Sequence, residues 1–90
     1  MNESDFRKAV ALQGFGEPQL IEKAPDLALG EHTHEFSAFA LILSGQLSVT
    51  TAEGTTTCAA GDTFALDGGI PHSEQYGPDG ARFLVARRTP

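Results

Sequence analysis

Turn-forming residues interrupt this chain at intervals of about ten residues and leave short runs rich in Val, Ile, Thr, Phe and Leu. This spacing is typical of a β-sandwich or β-barrel, because the runs are too short for long helices. The turn signals are Ala24-Pro25-Asp26, Ser44-Gly45, Glu53-Gly54, Gly61-Asp62, Asp67-Gly68-Gly69 and Gly77-Pro78-Asp79-Gly80. The runs between them predict strands near residues 17–23, 31–43, 46–51, 55–59, 62–66, 71–76 and 81–87. The predicted fold class is therefore all-β.

The N-terminus is the one segment with helical periodicity. Phe6, Ala9, Val10 and Gln13 recur at helical spacing between Ser4, which can cap the start, and Gly14, which can end the helix. We therefore predict a helical extension over residues 1–14 and a barrel over residues 15–90. A chain of 90 residues is long enough for one hydrophobic core and too short for two.

The charge balance argues against several classes of partner. Twelve acidic and six basic residues give a net charge of −6, which repels nucleic-acid phosphates and acidic membrane surfaces. The local basic cluster is Arg82, Arg87 and Arg88, which we expect to be solvated or paired with carboxylates. We therefore expect neither nucleic acid nor a membrane as partner.

Cysteine content and the N-terminal composition predict a cytoplasmic protein. The single cysteine, Cys58, cannot form an intrachain disulfide and is expected to be a small buried apolar residue. Charged residues interrupt residues 1–11, so this segment does not resemble a signal peptide, and no apolar run approaches membrane-spanning length.

A domain this small buries only about 60–65% of the surface that its unfolded chain exposes, so a homodimer is expected. Phe39, Leu41 and Leu43 form an apolar strip on one face of a predicted strand. The strip is either a dimer interface or the surface that the N-terminal helix covers.

The three histidines are the most informative residues for function. His32 and His34 are two apart on a predicted strand and share a face, and His72 begins another strand after a glycine-rich turn. Imidazoles converging from neighbouring strands can ligate a divalent first-row metal and leave positions open for water or substrate. The alternative is that the pair consists of two half-exposed strand residues without a ligand role.

Residues 17–87 resemble a small single-domain cupin. The first cupin motif has two histidines one residue apart followed by a glutamate and a glycine, and the second has two glycines before a histidine. The matching residues are His32, His34, Gly45, Gly61, Gly69 and His72. The resemblance implies a double-stranded β-helix, or jelly-roll barrel, around a metal-binding pocket.

The chain also departs from the family pattern. Ala38 stands where the glutamate ligand is expected, Asp67 replaces the motif proline, and Tyr76 replaces the asparagine. The three-histidine part of the site is therefore retained without its usual carboxylate. Glu74, two residues after His72, is a candidate fourth ligand, imidazole partner or general base, and the alternative is a solvent-facing side chain.

The resemblance implies a divalent ion, Fe, Ni, Mn or Zn, held by His32, His34 and His72 in a pocket that accepts a small organic ligand. Dioxygenase, isomerase and lyase reactions all occur among cupins, and the sequence leaves open whether this protein is an enzyme. The alternatives are a non-catalytic ligand-sensing barrel and a dimeric scaffold. The expected pocket residues are Phe36, Ala38, Glu74 and Tyr76. For Phe36, Phe64 and Phe83, placement in the barrel core is favoured over contact with a ligand.

Overall fold

The computed structural model describes residues 1–89 and contains one short helix followed by β-strands, as the sequence predicts. The elements are α1 (Glu3–Leu12), β1 (Gln19–Lys23), β2 (Ala28–His32), β3 (Ser37–Thr51), β4 (Gly54–Ala59), β5 (Thr63–Leu66) and β6 (His72–Arg88).

One continuous antiparallel sheet of six strands folds into two layers, because β3 and β6 are long enough to run through both. In the first layer, the N-terminal half of β3 pairs with β5, and the C-terminal half of β6 pairs with β1. In the second layer, the other halves of the two long strands pair with β4 and β2. The result is a jelly-roll arrangement in which β3 and β6 form the shared centre.

The two long strands bend together where they pass between layers. Their register shifts around residues 42–47 of β3, opposite residues 76–83 of β6. Gly45 and Gly80 both have positive φ there, 78° and 70°. The predictions of turns at Ser44-Gly45 and at residues 77–80 are therefore wrong, because both segments are irregularities inside continuous strands.

The strand predicted over residues 31–43 is also corrected. Residues 31 and 32 belong to β2, residues 33–36 connect the strands, and β3 begins at Ser37. The strand predicted over 46–51 is the second half of β3, and the two strands predicted over 71–76 and 81–87 are parts of the single strand β6. Seven predicted strands thus become six among residues 1–89.

The main core lies between the two layers. Phe83 and Cys58 are buried there, and Phe64 packs against the cluster, in agreement with the sequence predictions. Burial, and to a smaller extent Asp62, raises the pKa of the Cys58 thiol. The buried members are Ala40, Ile42, Leu47, Val49, Cys58, Tyr76, Ala81, Phe83 and Val85.

Helix α1 covers the outer face of the first layer. Phe6 is fully buried, and its ring centroid lies 4.9 Å from that of Phe39. Phe39 and Leu41 belong to the same cluster, and Leu43 packs against it. The apolar strip is therefore covered by the helix of its own chain.

The ends of the helix are set by local hydrogen bonds. Asn2, rather than the predicted Ser4, is the N-cap, and its side-chain oxygen accepts the backbone N–H of Asp5 at 2.8 Å. Gly14 follows the helix with φ 75°, in agreement with its predicted role at the C-terminal end. No helix within residues 1–89 is long and apolar enough to cross a membrane.

Candidate metal centre

Three segments bring the histidines together at one end of the second layer. His32 ends β2 and His72 begins β6, and the two residues are direct partners in the antiparallel register. His34 lies in the connection between β2 and β3, not on a strand as predicted, and its carbonyl accepts the N–H of Gly69 at 2.7 Å. One potential ligand atom from each histidine and one from Glu74 all lie within 4.8 Å of one another.

Backbone carbonyls orient two of the imidazole rings. Nδ1 of His32 lies 2.7 Å from the carbonyl oxygen of Gly30, and Nδ1 of His72 lies 3.0 Å from that of Ile70. A carbonyl accepts hydrogen bonds only, so in both rings Nδ1 carries the proton and donates it. The Nε2 atoms are then left to act as metal ligands.

Glu74 faces these Nε2 atoms. Its Oε2 atom lies 3.1 Å from Nε2 of His32 and 3.7 Å from Nε2 of His72, and the side chain is 14% exposed. When Nδ1 carries the only ring proton, Nε2 and the carboxylate oxygen present lone pairs to each other. A proton or a metal cation between them removes this repulsion, so the donor arrangement fits a cation.

Tyr76 holds the other oxygen of the same carboxylate. Its hydroxyl donates to Oε1 of Glu74 at 2.5 Å, and the residue is 1% exposed. Burial, followed by the hydrogen bond to Glu74 and its charge, raises the pKa of Tyr76 well above its ordinary value, so the phenol stays protonated. It is therefore a permanent donor that leaves Oε2 directed at the histidines.

His34 stands against an aromatic side chain. Its ring stacks on Phe36 with centroids 4.7 Å apart and an interplanar angle of 15°. Burial lowers the pKa of His34, and the neighbouring His32 and His72 rings add to the effect. The neutral imidazole, which is the form that ligates metals, is thereby favoured.

A cavity of about 200 Å³ opens beside the four residues. Phe36, Ala38 and Glu74 line it, whereas Tyr76 is not among its lining residues and lies behind Glu74. Sequence reasoning missed Lys23 and Arg87, which also line it. Arg87 lies on the same face of β6 as Phe83 and Val85, because the three residues are spaced two apart. This spacing was the available signal in the sequence. The remaining lining residues are Ile21, Leu29, His32, His34, Val49, Phe64, Leu66 and His72.

The basic cluster predicted near the C-terminus does not act as one group. Arg82 forms an ion pair with Glu22 at 3.2 Å, as expected for a surface charge. The guanidinium of Arg88 lies over the ring of Phe15, and that of Arg87 lies 5.1 Å from the ring centroid of Phe36. Arg87 is thus directed toward the cavity.

The profile of the cupin domain family matches residues 20–86. The chain belongs to the cupin family. The cupin match covers both histidine motifs and every residue of the candidate metal centre. No curated protein sequence is significantly similar to this cupin.

Solved structures of other proteins share the fold. A conserved protein of unknown function from Streptococcus pyogenes, SPY1581, is 27% identical with a TM-score of 0.68 and covers 79% of this chain. Oxalate decarboxylase from Lactobacillus farciminis, solved as a formate complex, is 30% identical with a TM-score of 0.68 and also covers 79%. Bacillus subtilis oxalate decarboxylase, described with Mn(II) centres, is 27% identical with a TM-score of 0.68 and covers 78%.

The chain spans only part of the length of those proteins. It spans 61% of the Streptococcus chain, 22% of the Lactobacillus enzyme and 20% of the Bacillus enzyme. The shared region is therefore one barrel.

Proposed function

We propose that this cupin binds a divalent first-row metal ion through His32, His34, His72 and Glu74 and takes a small organic ligand in the adjoining cavity. The observation that carries the proposal is the convergence of four ligand atoms within 4.8 Å. Three imidazoles and one carboxylate suit Fe, Ni, Mn or Zn. The Mn(II) centres of the Bacillus decarboxylase support a metal of this class.

The proposed carboxylate ligand is on a different strand from the one that the family motif uses. The motif position is Ala38 on β3, whereas Glu74 is on β6, and both line the same cavity. The methyl group of Ala38 leaves space where the usual ligand would stand. The carboxylate charge is supplied from β6, where Tyr76 holds it in place.

The chain's own residues define what the site does around the metal. The cavity wall is mostly apolar, so a ligand with an apolar body bound there would displace water from beside His32, His34 and His72. Glu74, when not ligating, can accept a proton from a bound ligand through Oε2. A bound ion supplies Lewis acidity or oxygen activation, which are the requirements of the dioxygenase, isomerase and lyase reactions considered for this chain.

The proposal includes a cytoplasmic location and a homodimer. Cys58 is a buried free thiol, which is compatible with a reducing compartment. A partner subunit would add to the stability of a small domain.

The first test is the metal content of purified protein with a His72→Ala variant. We expect close to one equivalent of Fe, Ni, Mn or Zn in the wild type and its loss in the variant. A chelator should lower the melting temperature of the wild type, because a ligand bound only to the folded state stabilises it. Metal-free protein that neither binds added ions nor gains stability from them would contradict the proposal.

A carboxylate variant separates ligation from general electrostatics. Glu74→Gln should weaken metal binding while keeping the side-chain volume. Glu53→Gln is the matched control, because Glu53 is an exposed carboxylate in the turn between β3 and β4. Equal metal affinity in the two variants would remove Glu74 from the ligand set.

A further inference from the structure

The cavity beside the metal centre has a charge opposite to that of the molecule around it. The chain carries a net charge of −6, yet two cationic side chains, Lys23 and Arg87, line the cavity against the single carboxylate of Glu74. A larger groove of about 880 Å³ next to it has three carboxylates and no lysine or arginine in its lining. The positive charge is therefore concentrated at the inner cavity.

Arg87 has donors available for a ligand. One guanidinium nitrogen donates to the side-chain oxygen of Gln19 at 3.0 Å. The ion pairs formed within residues 1–89 do not include Arg87 or Lys23. Since a guanidinium offers five N–H donors in a planar fork, Arg87 can still bind a carboxylate through two of them.

The register of β3 and β6 explains why this guanidinium has no carboxylate beside it. Ala38 is the direct cross-strand partner of Arg87. Side chains in such pairs are neighbours, with Cβ atoms about 5 Å apart. Ala38 is also where the cupin motif places glutamate, so the substitution removes the carboxylate that would face Arg87 and opens a space for a ligand's carboxylate.

Size and lining limit the rest of the ligand. A volume of about 200 Å³ is below the range of about 300–1,000 Å³ typical of sites for drug-sized molecules, so the ligand has few non-hydrogen atoms. Leu29, Val49, Phe64 and Phe83 are among the apolar residues of the wall. A hydrocarbon body would cover this surface, whereas a small dicarboxylate such as oxalate would not.

We propose that the cavity binds a small monocarboxylate with an apolar body, whose carboxylate pairs with Arg87 in the space beside Ala38. The inference rests on the proposed function, because the metal centre forms another wall of the same cavity. Phe36 links the two parts, since both His34 and Arg87 contact its ring.

The test is calorimetric titration of the metal-loaded protein with butyrate and benzoate, each compared with its amide, and with oxalate. We expect at least one of the two monocarboxylates to bind about tenfold or more tightly than its amide, because the charge-assisted pair with Arg87 is absent from the amide complex. Oxalate should bind more weakly than that acid. Equal binding of acids and amides, or preferred binding of oxalate, would overturn the proposal.

An Arg87→Gln variant separates the guanidinium from the metal as the source of the preference. It should lose most of the preference for the acid while keeping its metal content. Arg82→Gln is the matched control, because Arg82 is exposed and paired with Glu22. An acid preference that persists in Arg87→Gln would overturn the role of Arg87.

Metal content is measured in the same samples, so failure of the metal proposal is seen separately. If the wild type binds no metal, the acid and its amide are compared on the metal-free protein by the rise in melting temperature that each causes. The same measurement is made on the Arg87→Gln variant. If Arg87→Gln does not fold, the acid-over-amide preference of the wild type, with oxalate as comparison, decides the proposal.

Discussion

Tyr76 determines how Glu74 presents its carboxylate to the histidines. The phenol is buried, stays protonated and donates to Oε1, while Oε2 lies 3.1 Å from Nε2 of His32. A glutamate side chain has several rotatable bonds, and a fixed donor behind it reduces the conformations that metal binding would have to select. Tyr76 is thus a positioning residue for the proposed ligand.

Replacing Tyr76 by phenylalanine should weaken metal binding without emptying the core. We expect metal affinity to fall about 10–100-fold, which is typical for the loss of a partner of a metal ligand. Stability without metal should fall by about 1–3 kcal/mol, because Glu74 loses a buried donor. Competition with a chromogenic chelator measures the first effect and chemical denaturation of the metal-free protein measures the second.

Ser48→Ala is the control for this experiment, because it removes an exposed hydroxyl pair with Thr57 on the outer face of the second layer. Unchanged metal affinity in Tyr76→Phe, equal to that of Ser48→Ala, would show that Tyr76 has only a packing role.

Much of the candidate site could be predicted from single residues. The two-residue period of strands places His72, Glu74 and Tyr76 on one face of β6, as expected. The conformation of His34 could not be predicted, because residues 33–36 are held by contacts with residues far along the chain, such as Gly69. Arg87 was missed because a charged residue near a chain end is usually solvated, and only the cross-strand register shows what it faces.

At the level of the strands, the shared bend in β3 and β6 brings the two layers face to face. A Cβ on Gly45 would overlap the carbonyl oxygen of Gly80, and a Cβ on Gly80 would overlap that of Lys23. Three backbone segments therefore pass within atomic contact at this point. A side chain at either glycine would therefore push apart backbone segments that connect the two layers.

Gly45→Ala should destabilise the fold strongly. The residue has φ 78° and meets backbone rather than a flexible side chain, so strain and overlap add, and a loss of about 2–4 kcal/mol is expected. Gly30→Ala is the control, because its Cβ would meet no atom within 4 Å. Equilibrium denaturation measures both, and equal midpoints would contradict the role assigned to Gly45.

Most strand residues were predicted as such, but the prediction over 31–43 merged the end of β2 with β3, and the continuity of β3 and β6 was not predicted. Serine, glycine, proline and aspartate at residues 44–45 and 77–80 carry the composition of turns. A residue with positive φ is found both in chain reversals and in bulges. Which of the two forms depends on whether the segment pairs with a distant strand. Local sequence contains no information about that pairing, so long bent strands were divided at their bends.

For the molecule as a whole, small size is the main constraint on stability. The helix already covers the strip of Phe39 and Leu41, so that strip no longer supports a dimer. Exposed apolar side chains are present elsewhere, with Leu20 47% and Ile70 41% exposed. Burial of such groups by a second copy would add hydrophobic stabilisation that a domain of 90 residues lacks.

We therefore predict a homodimer in solution. Light scattering coupled to size-exclusion chromatography should give twice the chain mass of 9.5 kDa. The melting temperature should rise with protein concentration, because association stabilises the folded state by mass action. A monomeric mass and a concentration-independent melting temperature would contradict the dimer.

Strand β6 contributes to both of the proposed recognition functions. His72, Glu74 and Tyr76 lie at its start and Arg87 near its end, within 17 consecutive residues. Two of the four proposed metal ligands and the anion-binding arginine are therefore encoded in one short stretch of the gene, whereas His32 and His34 lie outside it. A single exchange of that stretch between relatives would change both preferences in one genetic step and leave the remaining strands intact.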